Sequence, residues 1–404
     1  MKKRILFISR SLRIGGIERS LVNLLKNIDY TAVEVDLFLY TNKGEYLEEL
    51  PESINLVNHS KLLEMLGMTV NEAKEYRGYL FAFTRLLMAI VCKIIGSRLF
   101  WKLAFAGRAL PEHYHSAIAF SNNIGHRHLN SGYYQFLIEK VNADRKIGWV
   151  HTDYQKMGLN PQKDHRYFAQ LDAIVNVSKA SKKIFDDVFP QWTSKSHVVY
   201  NTVPVNEIEL LGNKELERSH PKKPHDLKGV TVARLDQNKS VERVIYGIHE
   251  MKKINPNVSW TIVGDGPERP RLEKLTDELE LNQVIKFEGN QKNPYPFIKN
   301  ADVFVLSSKY EGLPMTVLES LVLKTPVIVT NYAAAHEQVK NGYNGIVAEN
   351  SNEGLTKELV ELAAFPGIIK QLKERIAAEE FYFNRLAVSQ FDHLINEGKQ
   401  RGGM

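Results

Sequence analysis

Thirteen short apolar runs, rich in Val and Ile and separated by longer helix-like segments, recur along almost the whole chain. In the first half they are Arg4–Ser9, Glu34–Tyr40, Ile54–Asn58, Ser116–Phe120, Lys146–Val150, Ala173–Ser178 and Val198–Tyr200. In the second half they are Gly229–Ala233, Ser259–Val263, Val284–Glu288, Val303–Ser307, Pro326–Thr330 and Gly345–Ala348. The runs are continuous rather than alternating, which suits strands buried on both faces of a parallel sheet. Strand–helix alternation builds βαβ units, so the expected class is α/β with doubly wound, Rossmann-like sheets.

With 404 residues the chain exceeds one ordinary core. The expected divide is Val203–Lys228, which holds three prolines and the basic, polar run Ser219–His225, and reads as a linker. This gives a first domain over 1–203, a second over 204–380 and a closing helix over 381–404. In such sheets ligands bind outside the carboxyl ends of the strands, so a shared ligand is expected in a cleft between the domains.

Composition narrows the class. Hydrophobic residues make up 43% and charged residues 25%, as in a soluble globular protein. The one cysteine, Cys92, excludes an intramolecular disulfide and a multi-cysteine metal site. The apolar run Ile5–Ile8 is too short for a signal peptide and reads as a buried first strand, so the expected location is the cytoplasm. A net charge of +6 favours anionic partners. No zinc-finger spacing, RNP motif or long basic run occurs, so nucleic acid is not an expected partner.

Arg77–Leu110 breaks the pattern. It holds six basic residues (Arg77, Arg85, Lys93, Arg98, Lys102, Arg108) and no acidic one, interleaved with Tyr79, Phe81, Phe83, Phe100, Trp101 and Phe105. No uncharged run approaches the ~20 residues that span a bilayer. Two readings stand: a basic, aromatic helix pair in peripheral contact with the inner face of an anionic membrane, or two ordinary helices with solvated faces.

The strongest chemical signal is E-G-L-P-M-T-V-L-E, Glu311 to Glu319, after the apolar run Val303–Ser307. Pro314 suits the first turn of a helix. Glu311 then lies in the strand-to-helix loop and Glu319 about one and a half turns into the helix. Amides of Leu313, Met315 and Thr316 would point at a ligand there, and the helix dipole favours an anion. Carboxylates accept from hydroxyls, so sugar hydroxyls around a phosphate match the site. Upstream, Arg234 and Lys239 follow the run Gly229–Ala233, where two cations can clamp a diphosphate and stabilise a leaving nucleotide. Gly264-Asp265-Gly266-Pro267 and Gly289-Asn290 are glycine turns at the next two strands.

In this order, A-R-L-D-x-x-K at 233–239, V-G-D-G-P at 263–267, F-E-G-N at 287–290 and E-x7-E at 311–319 resemble the retaining glycosyltransferases often called family four, which have the GT-B fold. Pro326-Val327-Ile328 and Asn341–Gly345 resemble that family's late strand and glycine loop. The resemblance covers about residues 200–350 well and the first half loosely. It implies that Arg234 and Lys239 hold the donor pyrophosphate, Glu319 the ribose hydroxyls and Glu311 the donor sugar, with backbone near Asn290 and Gly264 lining the nucleotide site. Ala233 and Ser240 stand where glycines are frequent in the family. A nucleophilic Glu311 is the open alternative; the resemblance implies a binding role.

The first half adds Gly15-Gly16 after the opening strand, and His151 at the end of Lys146–Val150. The resemblance implies that the glycine loop lies beside the donor phosphate, and that His151 contacts the donor sugar or its leaving group. A capping or hydrogen-bonded histidine is the other reading of His151. His126 is a weaker, acceptor-side candidate. Asp-x-Asp, which commonly holds a divalent metal beside a nucleotide, is absent, so no metal or other cofactor is expected. Phe381-Tyr382-Phe383 precedes a helix-like stretch to Ile395, either crossing back onto the first domain, as the resemblance implies, or belonging to the second.

The expected activity is transfer, with retention, from a nucleoside-diphosphate sugar to an acceptor hydroxyl, on a saccharide or lipid-linked saccharide of surface polysaccharide assembly. A GT-B sugar-nucleotide epimerase and a non-catalytic nucleotide-sugar-binding partner of another transferase are the alternatives.

Overall fold

The computed structural model describes residues 2–57, 60–123, 125–129, 131–157, 160–216, 227–377 and 383–396. Two units divide the chain: Met1–Thr202 with Phe383–Met404, and Val203–Tyr382.

The first unit is built on seven strands: β1 (Lys3–Ser9), β2 (Val33–Leu39), β3 (Ile54–Val57), β4 (His113–Ala119), β5 (Asn142–Val150), β6 (Ala173–Asn176) and β7 (Ser196–Val198). They form one sheet in the order β3-β2-β1-β4-β5-β6-β7, every pair parallel. The second unit carries β8 (Leu227–Val232), β9 (Val258–Val263), β10 (Ile285–Gly289), β11 (Val303–Leu306), β12 (Val327–Thr330) and β13 (Gly345–Ala348). Their order is β10-β9-β8-β11-β12-β13, again all parallel. Each expected run overlaps a strand; β5 begins four residues before the run Lys146–Val150, β4 three before Ser116–Phe120, and β7 lies two residues earlier than Val198–Tyr200. Ile5, Phe7, Ile8 and Ile118 in one sheet, and Val230, Ile262, Phe304 and Ile328 in the other, are fully buried. Burial on both faces removes any need for alternation. Strand order reverses between β1 and β4 and between β8 and β11, the switch points where ligands collect in open α/β sheets.

Part of the expected linker is structured. Val205–Gly212 is a helix of the second unit, with Ile208 and Gly212 buried. Asn293 Nδ2 donates to the Leu211 carbonyl at 3.1 Å, and a Cβ on Gly212 would lie 2.6 Å from Leu323. Three prolines across the wider stretch mask the helical spacing of Val205, Ile208 and Leu211. The run Ser219–His225 lies outside the described residues, as do Phe381 and Tyr382. The helix Phe383–Asn396 packs within the first unit: Phe391 stacks on Phe7 at 6.0 Å, and Gln390 Oε1 accepts the Tyr200 amide at 3.1 Å.

The basic aromatic segment follows α1 (Gly16–Lys26) and α2 (Lys61–Gly67) and lies on two helices, α3 (Val70–Ile95), broken at Arg77 and Gly78, and α4 (Ser97–Ala104). Half its aromatics are core, since Phe100, Trp101 and Phe105 are buried. The outer face of α3 is bare. Tyr79 is 76% exposed, Leu80 80%, Phe83 63% and Ile94 74%, with Leu86, Leu87 and Ile90 beside them and Leu99 and Leu103 on α4. Counting only uncharged runs undervalues this stretch. An 18-residue window of α3 has a mean hydropathy of 1.8, so by length and composition it could cross a membrane. Its inner face nonetheless packs on the unit through Ala82, Arg85 and Cys92.

Candidate active site

The loop after β8 turns on Asp236. Its Oδ1 accepts the amides of Asn238 (2.9 Å) and Lys239 (3.1 Å), and its Oδ2 accepts Arg234 Nε at 2.6 Å. An aspartate bonding its own backbone two residues on is a turn-former. Asn238 then ties this loop to the one after β11, at the switch point. Its Nδ2 donates to the Tyr310 carbonyl (3.0 Å), its Oδ1 accepts the Tyr310 amide (3.2 Å), and its carbonyl accepts the Lys309 amide (2.8 Å). Ser307 Oγ donates to the Lys239 carbonyl at 2.8 Å. Ser240 closes the loop with φ +47, buried, its Oγ donating to the Gln237 carbonyl. That left-handed conformation is the physical reason a glycine suits this position.

These bonds deliver Lys239 Nζ to Glu311 Oε1, an ion pair between adjacent strand ends. Ser308 Oγ donates to the same oxygen at 2.6 Å. The Glu311 side chain is 12% exposed and that of Lys239 22%, so the pair is partly shielded yet reachable from solvent. Arg234 is different. It extends with 76% of its side chain exposed and is held by Asp236 rather than by the pair.

The helix after Glu311 is Met315–Val322, and Pro314 is its N-cap (ψ 126) rather than its first residue. The Pro314 carbonyl accepts Gln338 Nε2 at 2.9 Å, fixing the helix start. The first amides of a helix have no intrahelical acceptor, so those of Met315 and Thr316 present partial positive charge. The Leu313 and Met315 side chains are buried, leaving backbone as what these residues offer a ligand. Glu319 is buried, with the Tyr295 hydroxyl 3.4 Å from Oε1.

The glycine turns have a reason inside the protein. Gly264 has φ +130, and a Cβ there would lie 1.9 Å from the Ala233 carbonyl oxygen; at Gly266 it would lie 2.3 Å from that of Leu235. The Leu235 amide donates to the Asp265 carbonyl (3.0 Å) and the Gly264 amide to that of Gly289 (2.7 Å), so three strand-end loops are stitched together. Asn290 follows, exposed.

In the first unit, Gly15 is the N-cap of α1 and Gly16 its first residue, where a Cβ would meet nothing within 4 Å. His151 is turned inward. Its Nε2 lies 2.7 Å from the Phe120 carbonyl, which fixes Nε2 as the protonated nitrogen, and its ring packs 4.6 Å from Phe120. Burial holds its pKa down at about 4 despite that bond, so the imidazole is neutral near pH 7. His126 belongs to a polar network: its Nε2 accepts the Asn160 amide at 3.3 Å and lies 3.6 Å from Asp164, which accepts the Tyr154 hydroxyl at 2.7 Å. Burial lowers the His126 pKa and raises that of Asp164.

The structure thus brings Lys239 and Glu311 together, with Glu319 and the start of its helix following Glu311 beyond the same strand end. Arg234 stands at the rim of this group, and His151 and His126 have internal partners. Asp236, Asn238, Ser308 and Tyr295 are site residues to which the sequence reading gave no part. The Asp-x-Asn spacing was a signal for the turn; nothing local signalled the others.

Residues 213–366 match the model of a family described as Glycosyl transferases group 1. That match lies within the second unit and takes in its strands β8 to β13. An uncharacterized glycosyltransferase of Methanocaldococcus jannaschii is 32% identical over 169 residues, 41% of this chain and 42% of its own length. The alpha-monoglucosyldiacylglycerol synthase of Acholeplasma laidlawii is 33% identical over 147 residues, 36% of this chain and 37% of its own. The lipopolysaccharide core biosynthesis glycosyltransferase LpsE of Rhizobium meliloti is 27% identical over 212 residues, 52% of this chain and 59% of its own. The chain therefore spans between about a third and three fifths of these relatives. Among solved structures, HepE of Anabaena in complex with UDP aligns over 98% of both chains at 15% identity, with a TM-score of 0.64. This likeness covers both units and shows the GT-B fold over the whole chain.

Proposed function

We propose that this protein transfers a sugar from a nucleoside-diphosphate donor, UDP-linked as the HepE complex suggests, to an acceptor hydroxyl with retained anomeric configuration. The observation that carries the reading is the Lys239–Glu311 pair at the β8/β11 switch point, beside a helix N-terminus and a buried Glu319. Lys239 and Arg234 hold the diphosphate and neutralise the charge that develops as it leaves, in place of a divalent metal. Amides at Met315 and Thr316 receive the distal phosphate. Glu319 accepts from the ribose hydroxyls, and Glu311 from the sugar once the diphosphate engages Lys239. The neutral His151 offers Nδ1 to a sugar hydroxyl. The acceptor hydroxyl attacks from the face the diphosphate leaves, and a departing phosphate oxygen takes its proton.

The acceptor we infer is a lipid-linked saccharide of surface polysaccharide assembly, met at the inner face of the membrane. The bare apolar face of α3 and α4, rimmed by exposed Lys74, Arg77, Lys93, Arg98 and Lys102, supports peripheral contact in the plane of an anionic bilayer. Two relatives named for glycolipid or lipopolysaccharide synthesis are in keeping with it.

A screen of sugar nucleotides by thermal shift, then NMR of the product anomer, tests the reading. Donor-dependent stabilisation and a retained anomer are expected. An inverted product, or donor conversion without any acceptor, would reject it.

A further inference from the structure

Three arginines converge on the turn Gly67–Glu72, which joins α2 to α3. Arg10, just past β1, donates from Nε to the Gly67 carbonyl at 3.0 Å. Arg85, on the inner face of α3, donates from Nε to the Met68 carbonyl at 2.9 Å. Arg13 pairs through Nη1 with Glu72 at 2.7 Å. Glu72 is already engaged, its Oε2 accepting the Thr69 amide at 2.6 Å in the capping box that starts α3. Glu45 lies near Arg13 but accepts the Ile14 amide at 3.1 Å.

The positive charge here is only partly neutralised, with three guanidinium groups facing two carboxylates, Glu72 and Glu45. Arg85 is only 6% exposed, and among the described residues its hydrogen bond goes to a neutral carbonyl. Glu72, already shared with Arg13 and the Thr69 amide, is the carboxylate that acts on it. A buried cation beside a like charge is costly unless an anion compensates it. The strain registers in acidity: burial, then Arg10, draws the Arg85 pKa down to about 10. Arg13 Nη2 is buried with no hydrogen-bond partner among the described residues. Guanidinium groups present planar donor forks matched to phosphate oxygens. The place is significant as well. Arg85 projects inward from the same helix whose outer face bares Phe83, Leu86 and Leu87.

We propose that Arg10, Arg13 and Arg85 form the binding site for the phosphate group of a lipid-borne acceptor, whose chain lies in the bilayer against the outer face of α3. This rests on the transferase reading above and supplies its acceptor class: a lipid phosphate or diphosphate carrying the saccharide.

The test uses the full chain and three probes: phosphatidylcholine vesicles doped with a polyprenyl diphosphate, vesicles of equal charge doped with phosphatidylglycerol, and inorganic pyrophosphate. The unchanged protein is expected to prefer the diphosphate vesicles by about tenfold or more in co-flotation. R13Q and R85Q each remove most of that preference, and R85K, which keeps the charge, restores part of it. Equal binding to both vesicles, or an undiminished preference in R13Q and R85Q, overturns the site. Pyrophosphate binding as tightly as the lipid vesicles identifies a free phosphate ligand and overturns the lipid assignment. If R85Q does not fold, R13Q decides, since its side chain is part-exposed. Calorimetry of the unchanged chain with UDP-sugars reports separately: no donor binding there rejects the transferase reading whatever the vesicles show.

Discussion

Lys239 and Glu311, 72 residues apart, form an ion pair at the carboxyl ends of two neighbouring strands, with Ser308 holding the same carboxylate oxygen. A diphosphate arriving at Lys239 must share it with Glu311 or release it, which frees the carboxylate to accept from a sugar hydroxyl. Lys239→Ala is therefore expected to cut turnover by ~10²-fold or more, the scale of lost transition-state charge stabilisation. Steady-state kinetics on a stably folded variant decides; a near-wild-type rate removes Lys239 from the clamp.

Asn238 positions that lysine by tying its loop to Tyr310. Asn238→Ala deletes both side-chain bonds to Tyr310 and leaves a part-buried amide and carbonyl to find new partners, costing about 1 kcal/mol. Its kcat should fall further than that of a surface variant matched for melting temperature. Parallel losses in the two would make Asn238 a stability residue alone.

Gly264 and Gly16 respond oppositely to a methyl group. Gly264→Ala places Cβ against the Ala233 carbonyl at a φ that L-residues avoid, so roughly 2–4 kcal/mol of stability is lost. Gly16→Ala meets open space in a helix and should gain up to about 1 kcal/mol. Urea titrations of the two variants check the contrast.

His151 gives the fold a pH dependence. Its folded pKa of about 4 lies below the ordinary 6.5, so between these values the unfolded chain binds the extra proton. Stability then falls as pH drops from 6.5 towards 4, by up to about 3 kcal/mol, and this contribution is level below that. His151→Gln should flatten the profile across that window. An unchanged slope would place the acid sensitivity elsewhere, with the coupled His126 and Asp164 next in line.

The strands were legible because a parallel sheet buried on both faces leaves continuous apolar runs, and such runs as Phe304–Leu306 resemble little else. The order of motifs gave Lys239 and Glu311, but not their pairing, which depends on β8 lying beside β11 in the sheet. Asn238 was hidden for the same reason: its partners are 72 residues away and no local pattern marks them. Six basic residues between Arg77 and Leu110 looked alike in sequence, yet Arg85 is buried while Arg98 and Lys102 face out. A cation's surroundings are set by tertiary packing. His151 was found at a strand end as expected, but the Phe120 carbonyl that turns it inward comes from a neighbouring strand's end.

The most direct test of the donor site is calorimetric titration of UDP into the unchanged protein and Glu319→Ala, with and without EDTA. Binding that EDTA leaves intact is expected, with a loss of about tenfold or more in the variant, where the ribose hydroxyls lose their carboxylate. Equal affinity in both proteins, or binding abolished by EDTA, would contradict it.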